Sequence, residues 1–207
     1  MLLINYSTII DPILKEVRIC VAGLSGVKAG NRVLDVCCGT GDQVFHYEQK
    51  GAIATGVDQD PGMIELAERN RKRRGFNNCT FRVASAAELP FPDGHFDCAS
   101  ISLGLHEMER DERNRAVSEM KRVVKKEGVL MFIDFQVPLP GNSIAYLIRA
   151  VEFIAGRDNH KCFRDYLAQG GLAQILKEAK LAPQEEALLM RGNMQVIKSS
   201  NPWPAPV

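Results

Sequence analysis

The 207-residue chain lacks most of the features that announce a function at first sight. Its six cysteines (Cys20, Cys37, Cys38, Cys79, Cys98 and Cys162) contain no C-x-x-C pair and no metal-ligand spacing, so no zinc site is expected. There is no excess of charge. A net charge of +1 and a pI near 7.6 give no electrostatic case for nucleic acid or an anionic membrane. No uncharged apolar run approaches the ~20 residues that span a bilayer. The opening M-L-L-I-N-Y-S has no basic n-region and meets Asp11-Pro12 early, so it does not make a convincing signal peptide and a cytoplasmic location is expected. No repeat, low-complexity segment or obvious catalytic dyad appears. The basic run Arg69 to Arg74 precedes Gly75 and reads as a solvated helix end that suits the macrodipole.

What is present is a 45% hydrophobic chain with enough core for one compact domain. Apolar runs alternate with amphipathic segments from Arg32 to Phe135, the signature of a doubly wound α/β sheet. Strands are expected near 32–36, 52–57, 79–83, 96–102 and 129–135, and helices near 11–24, 42–50, 61–73 and 110–125. Beyond Pro138, Pro140 and Gly141, residues 143–155 read as an amphipathic helix. A polar segment with interleaved rings (156–171), a helix (172–180) and a hairpin (184–199) follow.

The most informative stretch is V-L-D-V-C-C-G-T-G-D, residues 33–42. It reads as a buried parallel strand entering a glycine turn and then a helix, whose N-terminal N–H groups point at the turn. Gly39 and Gly41 let the backbone approach a ligand. A dinucleotide needs G-x-G-x-x-G, and the third glycine would fall on Val44. Asp35 and Asp42 would also repel a pyrophosphate. A ligand with an ammonium and a sulfonium, such as S-adenosylmethionine, suits these carboxylates. Asp58 ends the second strand 17 residues past Gly41, where an acid accepts hydrogen bonds from ribose hydroxyls. Asp60 and Pro61 then cap and open the next helix.

These segments resemble the class I S-adenosylmethionine-dependent methyltransferases, and within them the small-molecule group that includes the ubiquinone/menaquinone biosynthesis C-methyltransferases (methyltransferase type 11). The resemblance runs through VLDVCCGTGD (33–42), GVDQDPGMIELAERN (56–70), ASAAELPFPDGHFDCASISLGLHEM (84–108) and MKRVVKKEGVLMFIDF (120–135). It implies a seven-stranded, mostly parallel sheet in the order 3-2-1-4-5-7-6 with the last strand antiparallel and helices on both faces. Residues 1–30 would form a helical cap, 31–135 the cofactor core, and 136–207 the substrate side. The implied cofactor is S-adenosylmethionine, giving S-adenosylhomocysteine. Asp35, Cys37, Gly39, Gly41, Asp58, Gln59, Met63, Ser85, Ala86, Ser102 and Leu103 would line its crevice. Two positions depart from the family pattern. Cys37 stands where glycine is usual, and Ser85-Ala86 where aspartate and alanine are.

Methyl transfer from a sulfonium requires alignment and water exclusion before it requires a base. His106 follows the fourth strand and is either a general base or a packed wall. Tyr6, His160, Phe163, Arg164 and Tyr166 are the substrate-side candidates, with Phe163 and Tyr166 either lining a pocket or forming the buried face of a lid helix. Asp134 has no evident acidic partner, so no metal is expected. The reading is methyl transfer to a small molecule, quinone-like or otherwise aromatic. The alternatives are a non-catalytic domain that binds the cofactor and a thiol-dependent arsenite methyltransferase. Against the latter, cysteines on buried strands behave as small hydrophobes.

Overall fold

A computed structural model describes the backbone of residues 6–202 and the side chains of residues 14–202. Seven strands form one sheet in the order β3-β2-β1-β4-β5-β7-β6. They are β1 (Arg32–Val36), β2 (Ile53–Asp58), β3 (Cys79–Val83), β4 (Phe96–Ser102), β5 (Val124–Phe135), β6 (Pro183–Leu189) and β7 (Met194–Ser200). The first five pair in parallel, and β7 runs antiparallel to both β5 and β6. The order reverses between β1 and β4, which opens a crevice at their carboxyl ends.

Strand side chains alternate between two cores. Val33, Ala54, Cys98, Met131 and Ile133 pack beneath α1 (Tyr6–Leu24), α2 (Asp42–Glu48) and α3 (Pro61–Arg74), meeting Leu14, Val17, Val21, Phe45 and Ala67. Leu34, Val57, Ile101, Leu130 and Phe132 face the opposite layer of α4 (Arg110–Val123), α5 (Ser143–Ile154), α6 (Arg157–Gln169) and α7 (Gly171–Glu178).

The structure departs from the sequence expectations in four places. α1 begins at Tyr6, earlier than expected, and the side chain of Tyr6 lies outside the described residues. α4 stops at Val123 because Val124 already pairs with Phe96, so β5 starts there and kinks at the Glu127-Gly128 turn. The polar segment 156–171 is the helix α6, bounded by Gly156 and Gly170. The amphipathic helix expected at 143–155 is present as α5, but its outward face is apolar, exposing Tyr146, Leu147, Phe153 and Ile154.

The basic run at the end of α3 is partly ion-paired. Arg71 meets Glu68 at 2.8 Å, Arg74 meets Asp42, and Gly75 closes the helix in the left-handed region.

Candidate active site

The glycine turn and the β2 tip are tied together by backbone donors. The Gly39 N–H donates to Asp58 Oδ2 at 2.9 Å, and the Asp60 N–H donates to Asp58 Oδ1 at 3.0 Å. Each carboxylate oxygen keeps a lone pair for an outside donor. Asp60 caps α3 by accepting from the Gly62 N–H at 2.7 Å, with Pro61 in the first turn as expected. The loop after β3 is stitched to the same tip, because the Ala84 N–H donates to the Asp58 carbonyl. That loop carries half-buried Ser85, whose hydroxyl accepts from the Ala87 N–H, and buried Ala86. Gln59 is exposed and Met63 half-buried on the same side.

The two glycines of the turn sit in different surroundings. Gly39 has φ +50° and open space where a Cβ would stand, so its backbone faces the crevice. Gly41 has φ +82°, but a Cβ there would come within 2.6 Å of the Phe81 ring. A glycine there leaves room for the Phe81 ring and for Ala67. Cys37 has φ +57°, a conformation that glycine adopts without strain. Its Sγ fills the space beside Gly104, whose Cβ would lie 2.9 Å from that sulfur. Burial pushes the Cys37 and Cys38 thiols well above the usual range, and the Asp35 and Asp58 charges push the same way. Neither sulfur is a thiolate at neutral pH.

A cavity of about 50 Å³ opens among the strand tips, with Arg18, Asp35, Gly39, Gln43, Ser102 and Leu103 in its wall. Asp35 is 2% exposed, and burial lifts its carboxyl to about 7 against the lowering effect of a 2.6 Å hydrogen bond from Ser100 and of the Arg18 charge. Arg18 comes from α1 and reaches Asp42 Oδ2 at 2.8 Å. Sequence reasoning missed it, and no local pattern marks a residue that joins the site through the packing of a helix. Asp42, expected to face a cationic ligand, is engaged by Arg18 and Arg74. Larger grooves lie between α4 and α7 (about 420 Å³) and along α6 (about 500 Å³), but both are on the outer surface, away from the strand tips.

His106 sits in the short 3-10 turn after β4 (Leu105–Glu107), 2% exposed. Its Nδ1 lies 2.6 Å from Asp134 Oδ1, its backbone N–H donates to Asp134 Oδ2, and its Nε2 lies 3.6 Å from Glu152 Oε1. Burial alone would lower the imidazole, but the Asp134 charge and hydrogen bond, with Glu152 behind them, raise it to about 10. Asp134 therefore does have an acidic neighbour, brought in by α5, but the ring of His106 stands between the two carboxylates. Among the described residues no group of three His, Cys, Asp or Glu is placed to hold a metal ion.

Phe135, Phe163 and Tyr166 surround the His106 ring, with centroids 4.7, 6.0 and 6.2 Å away. Phe163 and Tyr166 form the buried face of α6, and the Tyr166 hydroxyl donates to the Phe135 carbonyl. Arg113, 1% exposed, donates to the carbonyls of Leu105 and Met108 and so fixes the turn that holds His106. His160 and Arg164 are not brought to the crevice and lie in the outer groove of α6.

Residues 33–128 match the family model described as a methyltransferase domain. That segment, which holds the glycine turn and strands β1 to β4, is therefore similar to a methyltransferase domain. Its sequence is similar to that of the ubiquinone/menaquinone biosynthesis C-methyltransferase UbiE of Pseudomonas putida, 38% identical over 120 residues. That alignment covers 56% of this chain and 46% of the relative, so the chain spans about half the length of the curated relatives it matches. The fold is shared with a SAM-dependent methyltransferase from Aquifex aeolicus (TM-score 0.68, 18% identity, 89% of each chain). It is shared also with the [4+2]-cyclase SpnF (TM-score 0.61, 22% identity, 90% of this chain and 80% of that one).

Proposed function

We propose that this chain transfers a methyl group from S-adenosylmethionine to a small-molecule acceptor at the tips of β1, β2 and β4. The observation that carries the proposal is the charge arrangement of the cavity: buried Asp35 and the guanidinium-bearing Arg18 are both in its wall. That pairing suits the ammonium and carboxylate of a zwitterionic amino-acid end. A cavity of 50 Å³ is well below the ~300 Å³ of a small ligand pocket, so it accommodates that end alone. The adenosine end then lies along the open rim of Gly39, Asp58 and Ser85. Asp58 accepts from the ribose hydroxyls, Ser85 and Gln59 offer polar atoms to adenine, and Met63 covers its face. Residues 31–135 act as the cofactor core and 136–207 as the substrate side.

The bound cofactor supplies an activated methyl group on a positive sulfur. The chain's own work is positional. Asp35 and Arg18 fix the amino-acid end, Asp58 fixes the ribose, and the turn of Ser102 and Leu103 closes the wall facing the acceptor. Leu103 takes φ +56° and is held by its N–H on the Ile133 carbonyl. His106 acts here as a fixed imidazolium behind that turn. A ring already protonated at neutral pH takes no proton from an acceptor. The likeness to the ubiquinone/menaquinone C-methyltransferase supports a quinone-like or other aromatic acceptor.

A second reading is a domain that binds the cofactor without transferring its methyl group; the same fold occurs in a protein named as a cyclase. Incubation of the chain with methyl-labelled S-adenosylmethionine and a small-molecule extract separates the two. Label appearing in an extract compound supports transfer. Cofactor binding without any labelled product supports the second reading.

A further inference from the structure

A surface helix ordinarily turns a polar face to water. α5 does not. Its inward arc carries Ala145, Ile148 and Glu152, while Tyr146, Leu147, Phe153 and Ile154 stand 63–71% exposed on the opposite arc with Ala150 among them. Residues 146, 147, 150, 153 and 154 fall on one side at 100° per residue, so this is a continuous stripe. Among the described residues no other element exposes more than one large apolar side chain to this degree; the remaining four exposed ones are scattered over α1, β2, β3 and β6.

Cations border the stripe. Arg149 lies at its edge on α5, and exposed Arg157, Lys161 and Arg164 follow on α6 at spacings of four and three, along one side of that helix. The two rows meet where the Phe153 ring lies edge-on to His160, centroids 5.4 Å apart. Arg149, Arg157 and Arg164 make no ion pair among the described residues, and the Lys161–Glu109 contact of 3.3 Å is exposed at both ends. An exposed pair of that kind contributes little.

We propose that the outer face of α5, with the arginines beside it, seats this chain on an anionic lipid surface. An apolar helix face bordered by arginine and lysine is the pattern of a helix lying in the plane of a membrane interface, apolar side toward the acyl chains and cations among the headgroups. α5 has 12 residues, too few to cross a bilayer, and among the described residues no helix is long and apolar enough to do so. A net charge of +1 is no obstacle, because the relevant charge is local. The same helix carries Glu152 to His106, which puts the docked face and the buried cluster on opposite sides of one element.

The test is co-sedimentation of the intact chain with phosphatidylcholine vesicles, with and without phosphatidylglycerol. The chain should pellet with the phosphatidylglycerol vesicles, release as salt rises, and remain mostly in solution with phosphatidylcholine alone. Leu147→Glu with Phe153→Glu should abolish pelleting. Arg157→Glu with Arg164→Glu should weaken it by roughly five-fold or more per cation. All these side chains are exposed, so unfolding temperature and S-adenosylhomocysteine affinity should match the parent. Parent chain that stays in solution with phosphatidylglycerol vesicles overturns the proposal. So does a concentration-dependent dimer that Leu147→Glu dissolves, which would make the face a self-interface. Cofactor affinity is read separately, so either failure leaves the methyltransferase proposal standing.

Discussion

Asp35 offers the sharpest prediction, because its protonation should be coupled to cofactor binding. Burial holds its carboxyl at about 7 in the free protein, so near neutral pH it is about half protonated. A cofactor ammonium binds the ionised form. Affinity should therefore rise with pH and level off above about 8, since the apparent dissociation constant scales with the fraction ionised. Between pH 6 and pH 8 the gain is about tenfold, or about 1.4 kcal/mol. S-adenosylhomocysteine is the appropriate probe, because its amino group stays protonated across that interval. Titration calorimetry in buffers of different ionisation enthalpy should also show proton release on binding at pH 6. Asp35→Asn keeps an acceptor for Ser100 but cannot ionise. It should flatten the pH dependence and weaken binding at pH 8 by about 1.5–3 kcal/mol, the range for a hydrogen bond to a charged group. In the free protein the sign reverses. An acid with a raised folded-state pKa loses stability as pH climbs from about 4 to about 7, and Asp35→Asn should remove that decline. A parent protein whose affinity is the same at pH 6 and pH 8 refutes the reasoning.

The two glycines should behave differently on substitution: Gly39→Val abolishes cofactor binding with a modest loss of stability, while Gly41→Val unfolds the protein or lowers its melting temperature sharply, as circular dichroism would record. His106→Ala should cost about 3–5 kcal/mol, because it strands two buried carboxylates, and the parent rate profile should show no limb in the ordinary histidine range. The imidazolium of His106 has a raised pKa, so its stabilising effect is complete below about 6.5 and lost as pH rises through about 10; a denaturant series across that window checks this. Cys37→Gly should change stability by no more than about 1 kcal/mol, since relief of left-handed strain offsets the added freedom of the unfolded chain. Turnover in Cys37→Ala and Cys38→Ala should stay within a few-fold, and loss of turnover in a folded variant would bring thiol chemistry forward.

Local chemistry explains which parts of the site were legible. The Gly39 turn, Asp58 at a strand tip and the Asp60-Pro61 cap are each set by a few consecutive residues. The strand alternation that separates the two cores is a period-two pattern. The unread parts depend on tertiary placement. Arg18 joins the cavity only because α1 packs beside α2, and Glu152 meets His106 only because α5 lies over the β5 tip. The role of Gly41 depends on Phe81, two strands away in the sheet. α6 carried its own signals, a glycine at each end and Phe163 and Tyr166 three apart, but its many polar residues masked them. The apolar stripe of α5 passed as ordinary amphipathicity, because periodicity shows that a helix has two faces without showing which one is buried.

The measurement that tests the central claim most directly is calorimetric titration of S-adenosylmethionine into the parent chain and into Asp58→Ala. One site per chain is expected in the parent, with affinity lower by about 1.5–3 kcal/mol in the variant, and NADH giving no heat with either. Equal affinity in parent and variant, or NADH binding in place of S-adenosylmethionine, would contradict the account.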